Sequence, residues 1–224
     1  MRITISKENY LKAIAEAESA GEVVIAAALA RWLGVSAPAV TMAVRRLKRD
    51  RLIRVSASGA ITLTREGREI ATRLIDRHNL IERMLTEIFG MEWYKVHEEA
   101  EHMEHAVSAD FERRLREKLG DSEVCPHGNF PGLDRPQDRR ERGWIPLDEA
   151  PGGTSVEVTS VFERDRKLLE YLDDLGIRPG SALRVITRNC DDTMTLSVAG
   201  RRVHLGCPAA SKVWTKPQEA AARK

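Results

Sequence analysis

Apolar positions recur at helical spacing three times in the first fifty residues, then give way to short alternating runs. Tyr10, Leu11, Ile14 and Ala15 share one face of a predicted helix over residues 9–20, which Gly21 ends. Residues 24–33 predict a second short helix, stopped by Gly34. Ser36 is an N-cap candidate for a third helix, residues 37–50, with Pro38 in its first turn and Val40, Ala43, Val44 and Leu47 as its buried stripe. Residues 52–64, LIRVSASGAITLT, read as two short strands around a Ser-Ala-Ser-Gly turn. Helix, helix, Gly turn, helix and hairpin in that order describe a winged helix-turn-helix.

The pattern then lengthens. Ile70, Leu74, Leu80, Ile81, Met84, Leu85 and Ile88 predict an amphipathic helix over residues 65–89, broken by Gly90. Two more helices are predicted over 93–107 and 108–119. Two long helices with more apolar surface than a small domain can bury predict a homodimer interface. Residues 125–153 are rich in Pro, Gly and charge and read as a partly ordered linker. From residue 154 to 214, SVEVTSVF, LRVITRN, TMTLSVAG and RRVHLG alternate as strands, interrupted by a helix over 166–175, which suggests a small β-barrel. The predicted fold class is mainly α with a small β part.

Composition narrows the partners. A hydrophobic share of 42% and a charged share of 31% permit a buried core. Net charge is only +2, so nucleic-acid binding needs a local patch. The third helix supplies one. Arg45, Arg46, Lys48 and Arg49 follow a small, neutral first turn, so that Ser36, Ala37, Pro38, Thr41 and Met42 are candidates to meet base edges while Arg45, Arg46 and Arg49 reach phosphates of double-stranded DNA. The plainer reading is a solvated basic helix end, where cations also suit the helix dipole. Cys125, Cys190 and Cys207 are far apart, with no C-x-x-C pair, which argues for a reducing cytoplasm and against a disulfide framework or zinc ribbon. MRITISKEN has no apolar signal region, and the longest apolar run, residues 23–30, is too short to span a bilayer, so no membrane partner is expected.

One stretch stands out chemically. VHEEAEHMEH, residues 96–105, packs three histidines among four glutamates. Such density of like charge repels along a helix unless something offsets it. The stretch is either a solvated acidic face or a set of cation ligands. On a continuous helix, His97, Glu101, Glu104 and His105 share one face, and His78 and Glu82 stand at i, i+4 on the preceding helix. Two such helices can converge on a divalent metal. His102, Glu98 and Glu99 point elsewhere. Enzyme patterns are missing. His97-Glu98 lacks the second His of H-E-x-x-H, and only Glu99 with His102 matches the Glu-x-x-His of a di-iron bundle. No enzyme is expected; a winged-helix regulator sensing an organic ligand is the other alternative.

ENYLKAI (8–14), VSAPAVTMAVRRL (35–47), RHNLIERML (77–85), VHEEAEHMEH (96–105) and CPHGNFPG (125–132) together resemble the diphtheria toxin repressor and manganese transport regulator family of metal-dependent repressors. The resemblance implies a winged DNA-binding domain (1–64), a metal-binding and dimerisation domain (65–140), a linker (141–153) and an SH3-like, FeoA-type module (154–224). It implies a primary metal site of Asn9, Glu101, Glu104 and His105, and an ancillary site of His78, Glu82 and His97, with Cys125, His127 and Glu163 as further candidates. His78 and His97 could serve either site, and Cys125 could equally be a plain buried thiol. Glu101 stands where iron-responsive members carry a cysteine, and carboxylate oxygen suits Mn2+, so Mn2+ is favoured over Fe2+. The sequence departs from the family at Asn9, often Asp or Met, and at Lys12, a glutamate in some manganese regulators. Metal-uptake genes behind a palindromic operator are the implied targets.

Overall fold

The computed structural model describes residues 3–120, 122, 124–130 and 135–218. The last two residues of the CPHGNFPG motif and both chain ends lie outside these. The chain forms two compact units, one from residues 1–81, 101–123 and 130–136, the other from 82–100, 124–129 and 137–224.

In the first unit, α1 (Ile5–Ser19), α2 (Ala26–Leu33) and α3 (Ala37–Arg49) precede a hairpin of β1 (Ile53–Val55) and β2 (Ile61–Leu63). Helix α1 starts four residues earlier than the apolar pattern predicts, because Lys7 and Glu8 N–H groups already bond to the Thr4 carbonyl. Gly34 caps α2 in the left-handed conformation at φ 63°, as its position in the sequence requires. The turn sets α2 and α3 114° apart, the geometry of a helix-turn-helix. Ser36 takes the extended N-cap backbone of α3, but its hydroxyl makes no capping bond. Leu11, Ile14, Leu29, Val40, Leu47, Leu52 and Ile61 close the core. The hairpin pairs Ile53 with Leu63 and Val55 with Ile61, and Ser56 Oγ receives the Ala60 N–H across the turn.

Helix α4 (Arg65–Arg83) does not run to Phe89 as an α-helix. Residues Met84–Ile88 form a π-turn, in which the Thr86 hydroxyl donates to the Glu82 carbonyl at 2.8 Å. Helix α5 is shorter than predicted, Val96–Met103, with residues 104–106 in a turn. Arg77 draws off the Glu104 carbonyl at 3.2 Å and Ala106 N–H closes on Met103, so the helix stops where its acidic stripe becomes buried. Helix α6 (Ala109–Leu119) is capped by Ser108.

The second unit holds α7 (Pro136–Glu141), β3 (Ile145–Pro146), β4 (Ser155–Val161), α8 (Arg166–Asp174), β5 (Ala182–Arg188), β6 (Thr193–Val198), β7 (Arg201–Gly206), α9 (Cys207–Ala210) and β8 (Val213–Pro217). Its antiparallel sheet runs β3-β8-β4-β5-β6-β7. Shifts between Val158 and Ser160 and between Val185 and Thr187 bend the strands around a core of Val158, Leu169, Leu172, Leu183, Val185 and Leu196. Residues 141–153 are not a bare linker. They contain β3, which pairs with β8, and a 3-10 turn at Leu147–Glu149 whose Leu147 is buried in this core. Among the described residues no single helix is long and apolar enough to cross a membrane.

Gly67 tests this packing. It lies within α4, where alanine normally gains about 1 kcal/mol over glycine. A Cβ there would meet the Leu52 carbonyl. Gly67→Ala should therefore lower stability in urea titration, and an unchanged or raised midpoint would refute the contact.

Candidate metal centres

The first cluster lies wholly in the first unit, between α1, α4 and the turn after α5. Glu104 is 3% exposed, far outside the range expected of a lone carboxylate. Its Oε2 meets His78 Nδ1 at 2.6 Å and accepts from Lys12 Nζ at 2.7 Å. Its Oε1 lies 3.5 Å from His105 Nε2. His105 reaches α1 with both ring nitrogens: Nε2 to Asn9 Oδ1 at 2.6 Å and Nδ1 to Glu8 Oε2 at 2.9 Å. Burial pushes the Glu104 carboxyl up, but the bond to His78 and the Lys12 and His78 charges outweigh it and hold the pKa below its usual value. Burial likewise pulls Lys12 down, and Glu16, Glu104 and Glu101 more than reverse it, so Lys12 stays charged.

The second cluster lies wholly in the second unit. Ligand atoms of Glu82, Cys125, His127 and Glu163 all fall within 4.8 Å of one another. Glu82 is fully buried; its Oε2 is 3.2 Å from His127 Nδ1 and its Oε1 is 3.1 Å from His97 Nδ1. Cys125 Sγ stands 3.6 Å from Glu163 Oε2. His127 Nε2 faces the Trp93 carbonyl at 2.9 Å. An acceptor there keeps a proton on Nε2 and turns the Nδ1 lone pair of the neutral ring toward the cluster, as a metal ligand requires.

A tight loop sets these donors. Gly128 N–H bonds to the Cys125 carbonyl, and Val161 N–H bonds to that of His127, tying the loop to β4. Gly128 sits at φ 81°, and a Cβ would run into the Thr159 carbonyl, so only glycine lets the loop approach the strand. Asn129 Nδ2 donates to Glu163 Oε2 at 2.6 Å, and Arg139 donates to Asn129 Oδ1 and Ser160 Oγ.

The clusters divide the predicted ligands differently from a single helix face. His97 joins Glu82 in the second unit, whereas Glu104 and His105 belong to the first, because α5 ends at Met103. His78, expected to serve either site, contacts Glu104 at 2.6 Å. Glu101 is exposed, and its charge acts on Lys12. Glu8, Asn129 and Arg139 escaped the sequence reading, and Lys12 entered it only as a departure from the family, not as a partner of Glu104. Only the adjacency of Glu8 to Asn9 offered a hint. On α3, Ser36, Ala37, Pro38, Thr41, Met42, Arg45, Arg46 and Arg49 are all exposed. Arg49 Nε bonds Asp50 at 3.2 Å, while Arg45 and Arg46 make no ion pair among the described residues.

Family profiles match in three consecutive blocks. The iron-dependent repressor N-terminal DNA-binding domain covers residues 2–61, and the iron-dependent repressor metal-binding and dimerisation domain covers 64–130. The FeoA domain covers 145–217. The diphtheria toxin repressor of Corynebacterium diphtheriae is 35% identical over 213 residues, spanning 88% of this chain and 91% of that protein. The chain belongs to the iron-dependent repressor family. Another relative, the iron-dependent repressor IdeR of Mycobacterium tuberculosis, is 35% identical over 80% of this chain and 83% of its own length. Among solved structures, a manganese-dependent transcriptional repressor in complex with manganese superposes with a TM-score of 0.84 at 32% identity, covering 95% of this chain and all of that one. The apo form of the manganese-activated repressor ScaR gives 0.78 at 27% identity, covering 94% and 100%. The three-part fold, with an SH3-like FeoA domain at its end, is thus the family's.

The second cluster fits a divalent cation by donor chemistry, buried carboxylates and imidazoles joined by a thiol, while the first offers carboxylate, imidazole and amide oxygen beside the Lys12 ammonium. Protons compete there. Burial depresses the His127 imidazolium, but Glu82, Glu163 and the Trp93 carbonyl more than offset this and raise its pKa above 6.5. Burial pushes the Cys125 thiol well up, and the Glu82 and Glu163 charges add to it. Wherever these donors carry protons a cation must displace them, so affinity at the second cluster should rise with pH, by up to about tenfold per unit for each proton released. Competition titrations near neutral pH would measure the slope; a flat profile would exclude these two as ligands. In chelator the His127 contribution to stability has the opposite sign. It is fully present below 6.5 and is lost as pH rises through the raised value. Gly128→Ala should weaken ion binding at this cluster at least tenfold while leaving the first cluster's affinity unchanged; equal affinity at the second cluster in the variant would mean that the loop does not set the donors.

Proposed function

We propose that Mn2+, ahead of Fe2+, is the corepressor of this metal-dependent transcriptional repressor, and that it acts through the first cluster. His105 carries the reading. Its two ring nitrogens face Asn9 and Glu8 on α1, while its neighbour Glu104 holds His78 on α4. Helix α1 is the opening element of the winged helix-turn-helix, so groups that fix α1 fix the frame from which α3 is presented. Asn9, Glu104 and His105, with Glu101, would hold the ion in the first cluster; Glu82, His97, Cys125, His127 and Glu163 would hold one in the second. A bound ion would supply positive charge to offset the carboxylates that these residues bring together. The repressor binds double-stranded DNA and dimerises. Within α3, the exposed first turn, Ser36, Ala37, Pro38, Thr41 and Met42, is read against base edges, and Arg45, Arg46 and Arg49 against phosphates.

The donor set supports manganese. The described contacts of the first cluster contain oxygen and nitrogen and no sulfur. Symmetry supports a palindromic operator whose half-sites lie about 34 Å apart. Apolar side chains left exposed, Phe111 on α6 and Phe89 after the π-turn, support a further apolar interface such as a dimer needs. The place of action is the cytoplasm, where the DNA is, and metal-uptake genes are the targets.

Fluorescence anisotropy on duplex DNA from upstream of the gene tests this, at one fixed salt concentration with chelator, Mn2+ or anaerobic Fe2+. Tight binding should require metal, with Mn2+ effective at lower concentration than Fe2+. Glu104→Gln and His105→Ala should each abolish at least tenfold of the metal-dependent gain, about 1.4 kcal/mol of coupling. Full metal dependence in both variants would overturn the mechanism, and a reversed order of ions would overturn the manganese preference.

A further inference from the structure

The sheet of the second unit carries a cationic face that the metal chemistry does not use. On β5, Leu183 and Val185 turn into the core and leave Arg184 outside; on β7, Val203 and Leu205 do the same for Arg202. Ser197 of β6 stands between the two, opposite Arg184 on one side and Arg202 on the other. Ser155 of β4 extends the row past Arg184. Residues opposite each other in a sheet share a face, so the two arginines are rooted about 10 Å apart, two strand spacings, with only a hydroxyl between them. Arg201 enters β7 one residue earlier, directly after the Ala199–Gly200 turn.

Elsewhere in this unit arginines are matched: Arg140 to Glu149, Arg166 to Glu98 and Glu170, Arg178 to Asp173. Among the described residues Arg184, Arg201 and Arg202 make no ion pair, and the Ser197 hydroxyl has no hydrogen-bond partner. Glu157, on the same face of β4, is taken by Lys216 at 3.0 Å. Charged side chains on an edge strand guard it against stray pairing, and β7 is an edge. That accounts for Arg201 and Arg202 but not for Arg184, because β5 is paired on both sides.

We propose that this face, Arg184, Ser197 and Arg202 with Arg201 beside them, is a contact for duplex DNA separate from the winged helix-turn-helix, which holds the phosphate backbone without reading bases. Guanidinium forks match phosphate oxygens, and the serine hydroxyl donates a further bond. A duplex carries one charge about every 1.7 Å of its axis, so a row of donors meets phosphates in any sequence and needs no pocket. The chain already carries a DNA-binding domain, and a second contact tethered to it acts at a raised effective concentration.

Salt dependence tests the proposal. Anisotropy of the full chain with Mn2+ is measured across a salt series, on the upstream duplex and on a random duplex of equal length. Arg184→Gln with Arg202→Gln should weaken both complexes by the same factor, roughly tenfold at physiological salt, and flatten the slope of log affinity against log salt by about 1.8. Both arginines are exposed, so the fold does not depend on them. Ser197→Glu sets a carboxylate between the arginines and should flatten the slope without removing either. Arg166→Gln with Arg178→Gln removes the same charge from paired arginines of the same unit and should leave the slope unchanged. An unchanged slope without Arg184 and Arg202 would overturn the proposal, and so would an equal fall in the control, which would reduce the effect to net charge. Loss on the upstream duplex alone would mean base reading and overturn it as well. If binding of polyglutamate falls while DNA binding does not, the face serves an acidic protein instead. Slopes are compared at one fixed ion, so the result stands whichever ion is the corepressor.

Discussion

A carboxylate shut away from water must be given partners, and each unit of this protein is built around one. Glu104 in the first unit and Glu82 in the second are 3% and 0% exposed. Leaving either unpaired would cost several kcal/mol. The first draws Lys12 from α1, His78 from α4 and the end of α5 into contact. The second draws His97 from α5, the Cys125 loop and the end of β4. Elements distant in sequence are brought together by the need to compensate a buried charge, and the apolar cores supply the rigid frame around it.

This arrangement makes the clusters responsive. In the metal-free state protons and a lysine do the compensating. Glu82 and Glu163 raise the His127 pKa against its burial, and Glu16, Glu104 and Glu101 do the same for Lys12. A divalent ion competes with protons on these donors, so its binding is linked to pH in the second cluster more directly than in the first, where the described contacts offer no thiol. The supporting groups matter as much as the donors. Trp93 presents its carbonyl to His127, and Asn129 and Arg139 keep Glu163 pointed inward.

What was legible in the sequence follows the range of the interactions. The winged helix-turn-helix rests on local signals, the Gly34 cap, the apolar stripe of α3 and the Ser-Ala-Ser-Gly turn, and these survive in the structure. The His and Glu residues of 96–105 were visible as chemistry, but not their division. A helical wheel assumes an unbroken helix, and α5 ends at Met103 because Arg77, distant in sequence, takes a carbonyl. Lys12 and Glu8 act across 92 and 97 residues of chain, beyond the reach of any periodicity. Strand β3 was hidden in a Pro- and Gly-rich stretch because two residues suffice once β8 offers an edge.

His78 and Glu82 stand one turn apart on helix α4; His78 meets Glu104, while Glu82 meets His97 and His127. Asn79, Leu80 and Ile81 between them are buried as well. A single inserted or deleted residue between them would rotate one past the other by about 100° and misdirect one of the two side chains. This turn is therefore constrained in length as well as in composition, and the helix changes its winding just beyond Glu82, in the π-turn at Met84–Ile88.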